Sequence, residues 1–170
     1  MRREIGTFDA FAETMKKIHN DGILLVAGVP PNPMTIGWGL LGYVWSKPVF
    51  QVFVRPTRYT FGLIENIRDF SLNVLPDRFS RQLAICGSES GRDVDKVSKC
   101  NFSMKRGERS NAFYIEQSAI HYECRIIHKN KLDPGTLEPE IIDRYYPLHD
   151  FHTVYFGEIL AVYRNEGGRT

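Results

Sequence analysis

The sequence predicts a mainly β fold, in which short strands form a closed or nearly closed β-barrel with peripheral helices. Three observations indicate this fold. Short apolar or alternating segments outnumber the helical ones, Gly37, Gly39 and Gly42 stand where strands would turn corners, and aromatic residues make up 12% of the chain. Because neither a repeat nor a linker divides the sequence, we expect a single domain spanning residues 1–170.

The strands are predicted where apolar, β-branched and aromatic residues cluster between turn signals. In chain order these segments are residues 23–29, 34–38, 42–45, 49–54, 70–75, 112–116, 119–127 and 153–163. The first is too apolar to be exposed on either face, whereas 70–75 alternates between apolar and polar positions. Residues 34–38 and 42–45 are either two strands or one strand bent at its glycines.

Helices are predicted over residues 7–19 and 57–67, where apolar side chains recur at helical spacing. Two shorter helical segments, 79–86 and 92–99, flank a loop rich in glycine and serine. Residues 129–151, which contain three prolines, are predicted to form a loop before the last strand.

The charge balance is mild, with 22 Lys and Arg against 20 Asp and Glu and a net charge of +2. Neither a nucleic-acid partner nor a membrane surface is expected, since the aromatic residues do not interleave with a basic stripe. The N-terminal segment lacks the apolar core of a signal peptide, and the longest apolar run, 23–29, is too short to cross a membrane. We therefore expect a soluble, cytoplasmic protein.

The three cysteines, Cys86, Cys100 and Cys124, are far apart and form no C-x-x-C pair. An odd number in this pattern fits neither a disulfide framework nor a zinc site. They are expected to be buried or semi-buried thiols in a reducing cytoplasm.

The segment RPTRYT, residues 55–60, combines features that bind anions. The guanidinium groups of Arg55 and Arg58 match phosphate geometry, and Thr57 or Thr60 is suited to cap the helix that follows. The unpaired amides of a first helical turn carry a positive partial charge. The alternative is a solvated basic turn with an ordinary cap.

A second polar segment, SESGRDVDK at residues 88–96, precedes and enters a short helix. Ser88, Ser90 and the amide of Gly91 are possible donors to a phosphate, and Lys96 is a possible source of positive charge. By itself the pattern is also typical of an ordinary linker whose acidic residues complement a helix dipole.

The segment NPMTIGWG, residues 32–39, places Trp38 between Gly37 and Gly39. Glycine leaves the backbone bare, so a planar heteroaromatic group could approach and bond to its amides and carbonyls. The alternative is a tryptophan packed at a barrel corner. No Rossmann or P-loop glycine motif occurs, so a phosphate would be bound in another way.

A histidine cluster, HDFH at residues 149–152, directly precedes the last strand. A metal site built from His149, Asp150 and His152 is conceivable, but this tight spacing is a poor template for three ligands on one ion, so no metal is predicted. The pattern favours a single histidine at a pocket mouth that donates a proton or contacts a ligand, and a solvated loop histidine is the alternative.

Taken in order, these segments resemble the flavin reductase-like family of FMN-binding split barrels, which includes the flavoredoxins. The matching segments are NPMTIGWG, YVWSKPVFQVFVRPTRYT, FSLNVLP, CGSESGRDVDK, HYECRI and HDFHTVYFGEI, and together they run from about Gly22 to Tyr163. The resemblance implies a six-stranded Greek-key FMN-binding split barrel, usually a homodimer, with FMN bound non-covalently near the dimer interface.

The resemblance also implies roles for thirteen residues. The backbone around Thr35, Ile36, Gly37 and Trp38 would meet the flavin ring, and a second set would surround the phosphate: Arg55, Thr57, Arg58, Tyr59 and Thr60. Ser88, Ser90 and Lys96 match a further polar stretch of the cofactor site, and His152 matches a histidine that in several relatives lies near the nicotinamide.

The function implied is that of an NAD(P)H-dependent flavin reductase, in which NADH or NADPH passes a hydride to N5 of the flavin. The alternative is a flavoredoxin-like electron carrier that keeps FMN bound and exchanges electrons with protein partners. Catalysis in either case rests on positioning and electrostatics rather than on a side-chain nucleophile.

Overall fold

The computed structural model describes residues 2–166. The strands are β1 (Arg2–Ile5), β2 (Ile23–Ala27), β3 (Asn32–Ile36), β4 (Gly39–Val44), β5 (Lys47–Val54), β6 (Asp69–Val74), β7 (Met104–Arg106), β8 (Phe113–Ile115), β9 (Ile120–Lys131) and β10 (Thr153–Asn165). The helices are α1 (Phe11–Asn20), α2 (Tyr59–Ile64), α3 (Ser80–Ser88), α4 (Lys96–Lys99) and α5 (Pro139–Tyr145), with short 3₁₀ turns at Asp77–Phe79 and Pro134–Thr136. Within these residues, no helix combines the length and apolarity needed to cross a membrane.

The main sheet is antiparallel and has the order β3-β2-β6-β9-β10-β5-β4, with β1 paired to β10. The mainly β fold is therefore confirmed. Among the described strand pairs none joins β3 to β4, so the barrel is open along the seam between these two edge strands. The main sheet contains eight strands in the described part of the chain, where the resemblance implied six, and β7 and β8 form a separate hairpin.

The interior of the sheet is filled by aromatic and aliphatic side chains that are fully buried. Phe50 and Tyr122 pack edge to face with ring centroids 5.4 Å apart, and the Tyr122 hydroxyl lies 2.7 Å from that of Thr14 on α1. Each such side chain contributes about 1.5–3 kcal/mol through burial. Gly157 is required beside this core, because a Cβ there would lie 2.5 Å from Cζ of Phe70.

A second apolar cluster fixes α3 and α4 against β2, and this positions one wall of the site described below. Leu24 and Val26 of β2 pack with Leu83 and Cys86 of α3 and with Cys100 at the end of α4. All five are buried.

The main differences from the predicted elements have local causes. Strand β3 begins at Asn32, so Pro33 lies inside a strand, which is tolerated because β3 is an edge strand and proline cannot donate to the sheet. Strands β1 and β7 were not predicted, and residues 129–151 are not a simple loop, since β9 extends to Lys131 and α5 follows.

The two helices next to the predicted phosphate residues are shorter than expected. The predicted helix over 92–99 is reduced to α4, whose first turn is capped by the Asp95 carboxylate accepting from the Val97 and Ser98 amides. Helix α2 has six residues, and its N-cap is Arg58, with no side-chain cap bond, so the expectation that Thr57 or Thr60 caps it is wrong.

Candidate functional site

Two adjoining cavities bring together the residues predicted from the sequence. The wide cavity, of about 190 Å³, is lined by Met34, Thr35, Ile36, Gly37, Trp38, Phe53, Arg55, Arg58 and His152. The narrow cavity, of about 100 Å³, is lined by Met34, Thr57, Arg58, Tyr59, Thr60, Cys86, Gly87, Ser88, Glu89, Ser90, Gly91, Arg92 and Lys96. They share Met34 and Arg58, and every predicted site residue lines one of them. The role of these residues in binding stays a prediction.

The corner between β3 and β4 forms one wall of the wide cavity. A Cβ on Gly37 would meet no atom within 4 Å, so packing within the chain does not require glycine there and the backbone is bare toward open space. The Thr35 hydroxyl donates to the Leu83 carbonyl at 2.6 Å, which ties β3 to α3. The part of this corner available to a ligand is therefore its backbone.

Trp38 lies at the mouth of the wide cavity with 41% of its surface exposed. Its ring centroid is 5.0 Å from that of His152 and 5.3 Å from that of Tyr145. Trp38 therefore packs against aromatic neighbours and also borders the cavity, and the approach of a planar ligand to the backbone beside it stays a prediction.

Arg55, at the end of β5, is already engaged by protein groups. Its guanidinium donates to the Asp150 carboxylate and to the Tyr145 carbonyl, both at 2.7 Å, and its Cζ lies 4.9 Å from the centroid of the Tyr146 ring. Its charge is therefore balanced by a carboxylate. The structure places Arg55 in the wide cavity, away from the narrow one that holds the other predicted phosphate residues.

Lys96 is the buried cation of the narrow cavity. Lys96 is only 4% exposed, and its Nζ donates to the Cys86 carbonyl at 3.3 Å. Burial lowers its pKa, and within residues 2–166 it forms no ion pair, because the nearby Glu89 pairs with Lys99 instead. A buried ammonium without a carboxylate is costly, so this cavity favours an anionic ligand.

The loop over the narrow cavity is held by close packing. Asn32 donates from Nδ2 to the Thr60 hydroxyl at 2.9 Å, and the loop passes over both Asn32 and Tyr59 at Gly91. A Cβ on Gly91 would lie 2.1 Å from Asn32 Oδ1. The Ser88 hydroxyl donates to the Ala84 carbonyl at 2.8 Å, and the Ser90 hydroxyl accepts from the Arg92 amide at 3.2 Å.

His152 is 7% exposed and forms part of the wall of the wide cavity. Its Nδ1 lies 2.8 Å from the Tyr146 hydroxyl, and its ring is edge-on to that of Phe53 at 6.3 Å between centroids. Burial, and secondarily the positive charge of Arg55, lower the pKa of His152 to about 4. The imidazole is therefore neutral at pH 7, which favours a role as a hydrogen-bonding group over that of a cationic acid.

No cluster of three His, Cys, Asp or Glu side chains within residues 2–166 is arranged to hold a metal ion. In the HDFH segment, Asp150 pairs with Arg55 and His152 with Tyr146. All three cysteines are free and buried, as expected, and burial raises the pKa of Cys86 to about 12. A thiol of that pKa is a poor nucleophile at neutral pH.

The profile of the flavin reductase like domain matches residues 18–170. The chain belongs to the flavin reductase-like family. Its fold is similar to the flavoredoxin of Desulfovibrio vulgaris (Miyazaki F), with a TM-score of 0.68 and 20% identity over 86% of this chain and 70% of that one. The flavoredoxin from Methanosarcina acetivorans is 26% identical, with a TM-score of 0.67 over 88% and 73% of the two chains.

A protein from Archaeoglobus fulgidus, described as uncharacterized, is 26% identical over 140 residues, which cover 82% of this chain and 69% of that protein.

In this member of the flavin reductase-like family, several cavity residues were not predicted from the sequence. They are Met34, Phe53, Cys86, Glu89 and Arg92, and behind the narrow cavity Asn32 bonds to Thr60 without lining it. Asn32 carried a signal, since an asparagine beside an apolar strand needs a polar partner once it is buried. Met34 and Phe53 carried none, because apolar residues in strands are ordinary core residues.

Proposed function

We propose that the chain binds FMN, with the flavin ring in the wide cavity and the phosphate in the narrow cavity. The observation that carries this proposal is the buried ammonium group of Lys96, which has no carboxylate partner among the described residues and lines the narrow cavity. The adjoining wide cavity is lined by the bare backbone at Gly37. Membership of the flavin reductase-like family supports a flavin as the ligand. The residues present fit it, since the wide cavity borders the edge strand β3 and the narrow cavity contains Lys96, a buried cation without a carboxylate partner among the described residues.

Arg58 and Lys96 are the charged residues proposed to hold the phosphate. Arg58 borders both cavities and its side chain has no carboxylate partner among the described residues. Charge-assisted hydrogen bonds of this kind contribute about 1.5–3 kcal/mol each. The Thr60 hydroxyl and the loop at Ser88 and Ser90 supply neutral polar groups around the same position.

The proposed activity is an NAD(P)H-dependent flavin reductase. Bound FMN would accept a hydride from NADH or NADPH, and the residues of this chain would bind, orient and shield the reactants. The amides at the β3–β4 corner are suited to donate to polar atoms at the ring edge. Neutral His152 at the wall of the wide cavity is suited to contact the substrate, and Trp38 to cover it.

The decisive experiment is an anaerobic stopped-flow reaction of the FMN-loaded protein with NADH and, separately, with NADPH. Loss of the oxidised-flavin absorbance within seconds supports the reductase and identifies its nicotinamide. A flavin that stays oxidised with both nucleotides but is reduced by dithionite contradicts the reductase. Failure of the protein to retain or turn over any flavin contradicts flavin binding itself.

An electron carrier is the second candidate, because the flavoredoxin from Methanosarcina acetivorans is 26% identical to this chain. Apolar groups stand exposed beside the wide cavity at Trp38 and, near Asp150, at Leu148, which is 82% exposed. Such groups suit a transient protein partner. Rapid electron exchange with a reduced redox protein, combined with slow oxidation of NADH and NADPH, favours this candidate.

A homodimer is also proposed, with the edge strand β4 and the turn that follows it in the contact. Leu40 and Tyr43 on β4 and Trp45 just after it are close together in sequence, and each is more than half exposed. A cluster of this kind is typical of a subunit interface. Sedimentation equilibrium should give a dimer for the wild type and a monomer for Leu40→Glu/Tyr43→Glu, and a monomeric wild type contradicts the proposal.

A further inference from the structure

Tyr146 makes the hydrogen bond that orients His152. It is the residue after α5, in a segment predicted to be a loop, and it is 2% exposed. Its hydroxyl lies 2.8 Å from His152 Nδ1, and the two rings are edge-on with centroids 5.5 Å apart. Because both residues are buried, this geometry is fixed by the protein rather than by solvent.

The surroundings of Tyr146 hold its ring in place. Phe151 stacks on it at 4.8 Å between centroids, and the Arg55 guanidinium lies 4.9 Å from its centroid. Arg55 also bonds to the Tyr145 carbonyl and to Asp150, which lie on either side of Tyr146 in the chain. One arginine therefore fixes the whole turn that carries the tyrosine hydroxyl.

Both partners of the hydrogen bond are neutral at pH 7. Burial raises the pKa of Tyr146, and burial together with Arg55 and Arg58 lowers that of His152, with Asp150 opposing the shift. A neutral imidazole carries one N–H, on either Nδ1 or Nε2. The only acceptor that the described residues offer to the buried Tyr146 hydroxyl proton is His152 Nδ1. The tyrosine therefore donates, and the ring proton is on Nε2.

We infer that Tyr146 is a positioning residue that fixes the Nε2–H tautomer of His152, so that His152 donates a hydrogen bond to an oxygen acceptor of the substrate in the wide cavity. A carboxamide or carbonyl oxygen is the class of acceptor that this donor recognises. The role in the reaction rests on the proposed function, whereas the tautomer is a property of the protein alone. The two are therefore tested separately.

The tautomer is tested by long-range ¹H–¹⁵N correlation of the imidazole rings in the full-length, ¹⁵N-labelled protein, with His152 assigned by comparison with His152→Gln. The wild type should show Nε2 protonated and Nδ1 unprotonated at pH 7. Tyr146→Phe should shift His152 toward the other tautomer and raise its pKa, because the bond to the neutral ring is lost. A protonated Nδ1 in the wild type overturns the inference even if the variant does not fold.

The role in the reaction is tested by the rate of flavin reduction in Tyr146→Phe, His152→Gln and the double variant. Tyr146→Phe should slow reduction about three- to tenfold, the range of one neutral hydrogen bond, with FMN affinity unchanged within about twofold. In the double variant, Tyr146→Phe should not slow flavin reduction further than His152→Gln alone. If the two substitutions instead slow reduction independently, so that their factors multiply, the inference is overturned.

The matched control is Tyr163→Phe, which removes a buried tyrosine hydroxyl that bonds to Glu108 at 3.3 Å, outside both cavities. It should change stability without changing the tautomer of His152. If none of the proteins binds flavin, the proposed function fails, and the imidazole spectra still decide the assignment of the tautomer.

Discussion

The Arg55 guanidinium donates to the Asp150 carboxylate at 2.7 Å, and this pair joins the end of β5 to the segment between α5 and β10. Both side chains are largely buried, with 21% and 16% of their surface exposed. A guanidinium that already has a buried carboxylate has little charge left for a phosphate. The pair therefore distinguishes two arginines that are three residues apart in sequence: Arg55 is held within the protein, and Arg58 is the one that we propose for the phosphate.

Replacement of Arg58 by Ala should weaken FMN binding about tenfold or more, because a charged phosphate contact of about 1.5–3 kcal/mol is lost. Arg55→Ala should change the Kd less than about threefold, but it should lower the free energy of unfolding by about 1–3 kcal/mol, since Asp150 is left without its partner. Flavin fluorescence titration and urea denaturation measure the two quantities. Equal losses of affinity in both variants would show that the Arg55–Asp150 pair opens when FMN binds.

Replacement of Lys96 by Met should have opposite effects on the free and the bound protein. Without ligand, the unfolding free energy should rise or stay unchanged, because a buried, unpaired ammonium group is removed. FMN affinity should fall about tenfold or more. Lys105→Met is the control, since it removes a partly exposed ion pair with Glu116 that lies outside both cavities. A Lys96→Met protein that is destabilised and still binds FMN normally would assign Lys96 a purely structural role.

Replacement of Gly91 by Ala should disturb the narrow cavity, because the added Cβ would lie 2.1 Å from Asn32 Oδ1 and 2.6 Å from Tyr59 Cδ1. The loop must move outward, so we expect a loss of FMN affinity and a lower melting temperature. Gly62→Ala is the matched control: it lies in α2, its Cβ meets no atom within 4 Å, and it should be neutral or stabilising by up to about 1 kcal/mol. Similar behaviour of the two variants contradicts the packing described here.

The stability of the protein should decrease as the pH falls from about 6.5 to about 4, in part because of His152. Its pKa is about 4 in the folded protein and 6.5 without the fold, so the unfolded chain binds the extra proton in this window. The full effect is up to about 3 kcal/mol. Urea denaturation across this range should show that His152→Gln loses less unfolding free energy with falling pH than the wild type does. The variant still loses some, because burial also lowers the pKa of His121. Parallel curves for the two proteins contradict the low pKa.

Much of the site was predictable because its residues lie in short segments with a local signal. The RPTRYT turn and the SESGRDVDK loop combine charges, hydroxyls and glycine within a few residues, and both line the narrow cavity. The strands were located for a similar reason, since apolar residues between turn signals are a local pattern. The first and last residues of the strands were harder to predict. Strand β3, for example, includes Pro33 because this residue pairs with Val26 of the neighbouring β2, and that pairing leaves no local signal in the sequence.

The remaining features depend on residues that are distant in sequence. The engagement of Arg55 requires Asp150 and Tyr145, about ninety residues away, and the burial of Lys96 depends on how α3 and α4 pack on β2. Helix α5 was missed because Pro139, which occupies its first turn, also marks loops. Tyr146 had no sequence signal, since its role arises only when the turn brings it beside His152.

The order of the strands has a consequence for how the protein matures. The wide cavity needs the β3–β4 corner, from the first quarter of the chain, and His152, which directly precedes β10. Strand β10 is the last strand among the described residues, and it is held between β9 and β5. A chain emerging from the ribosome cannot complete this cavity until β10 has followed it out. A ligand bound there therefore stabilises only chains in which β10 has paired with β9 and β5, and ligand retention would report that this pairing has formed.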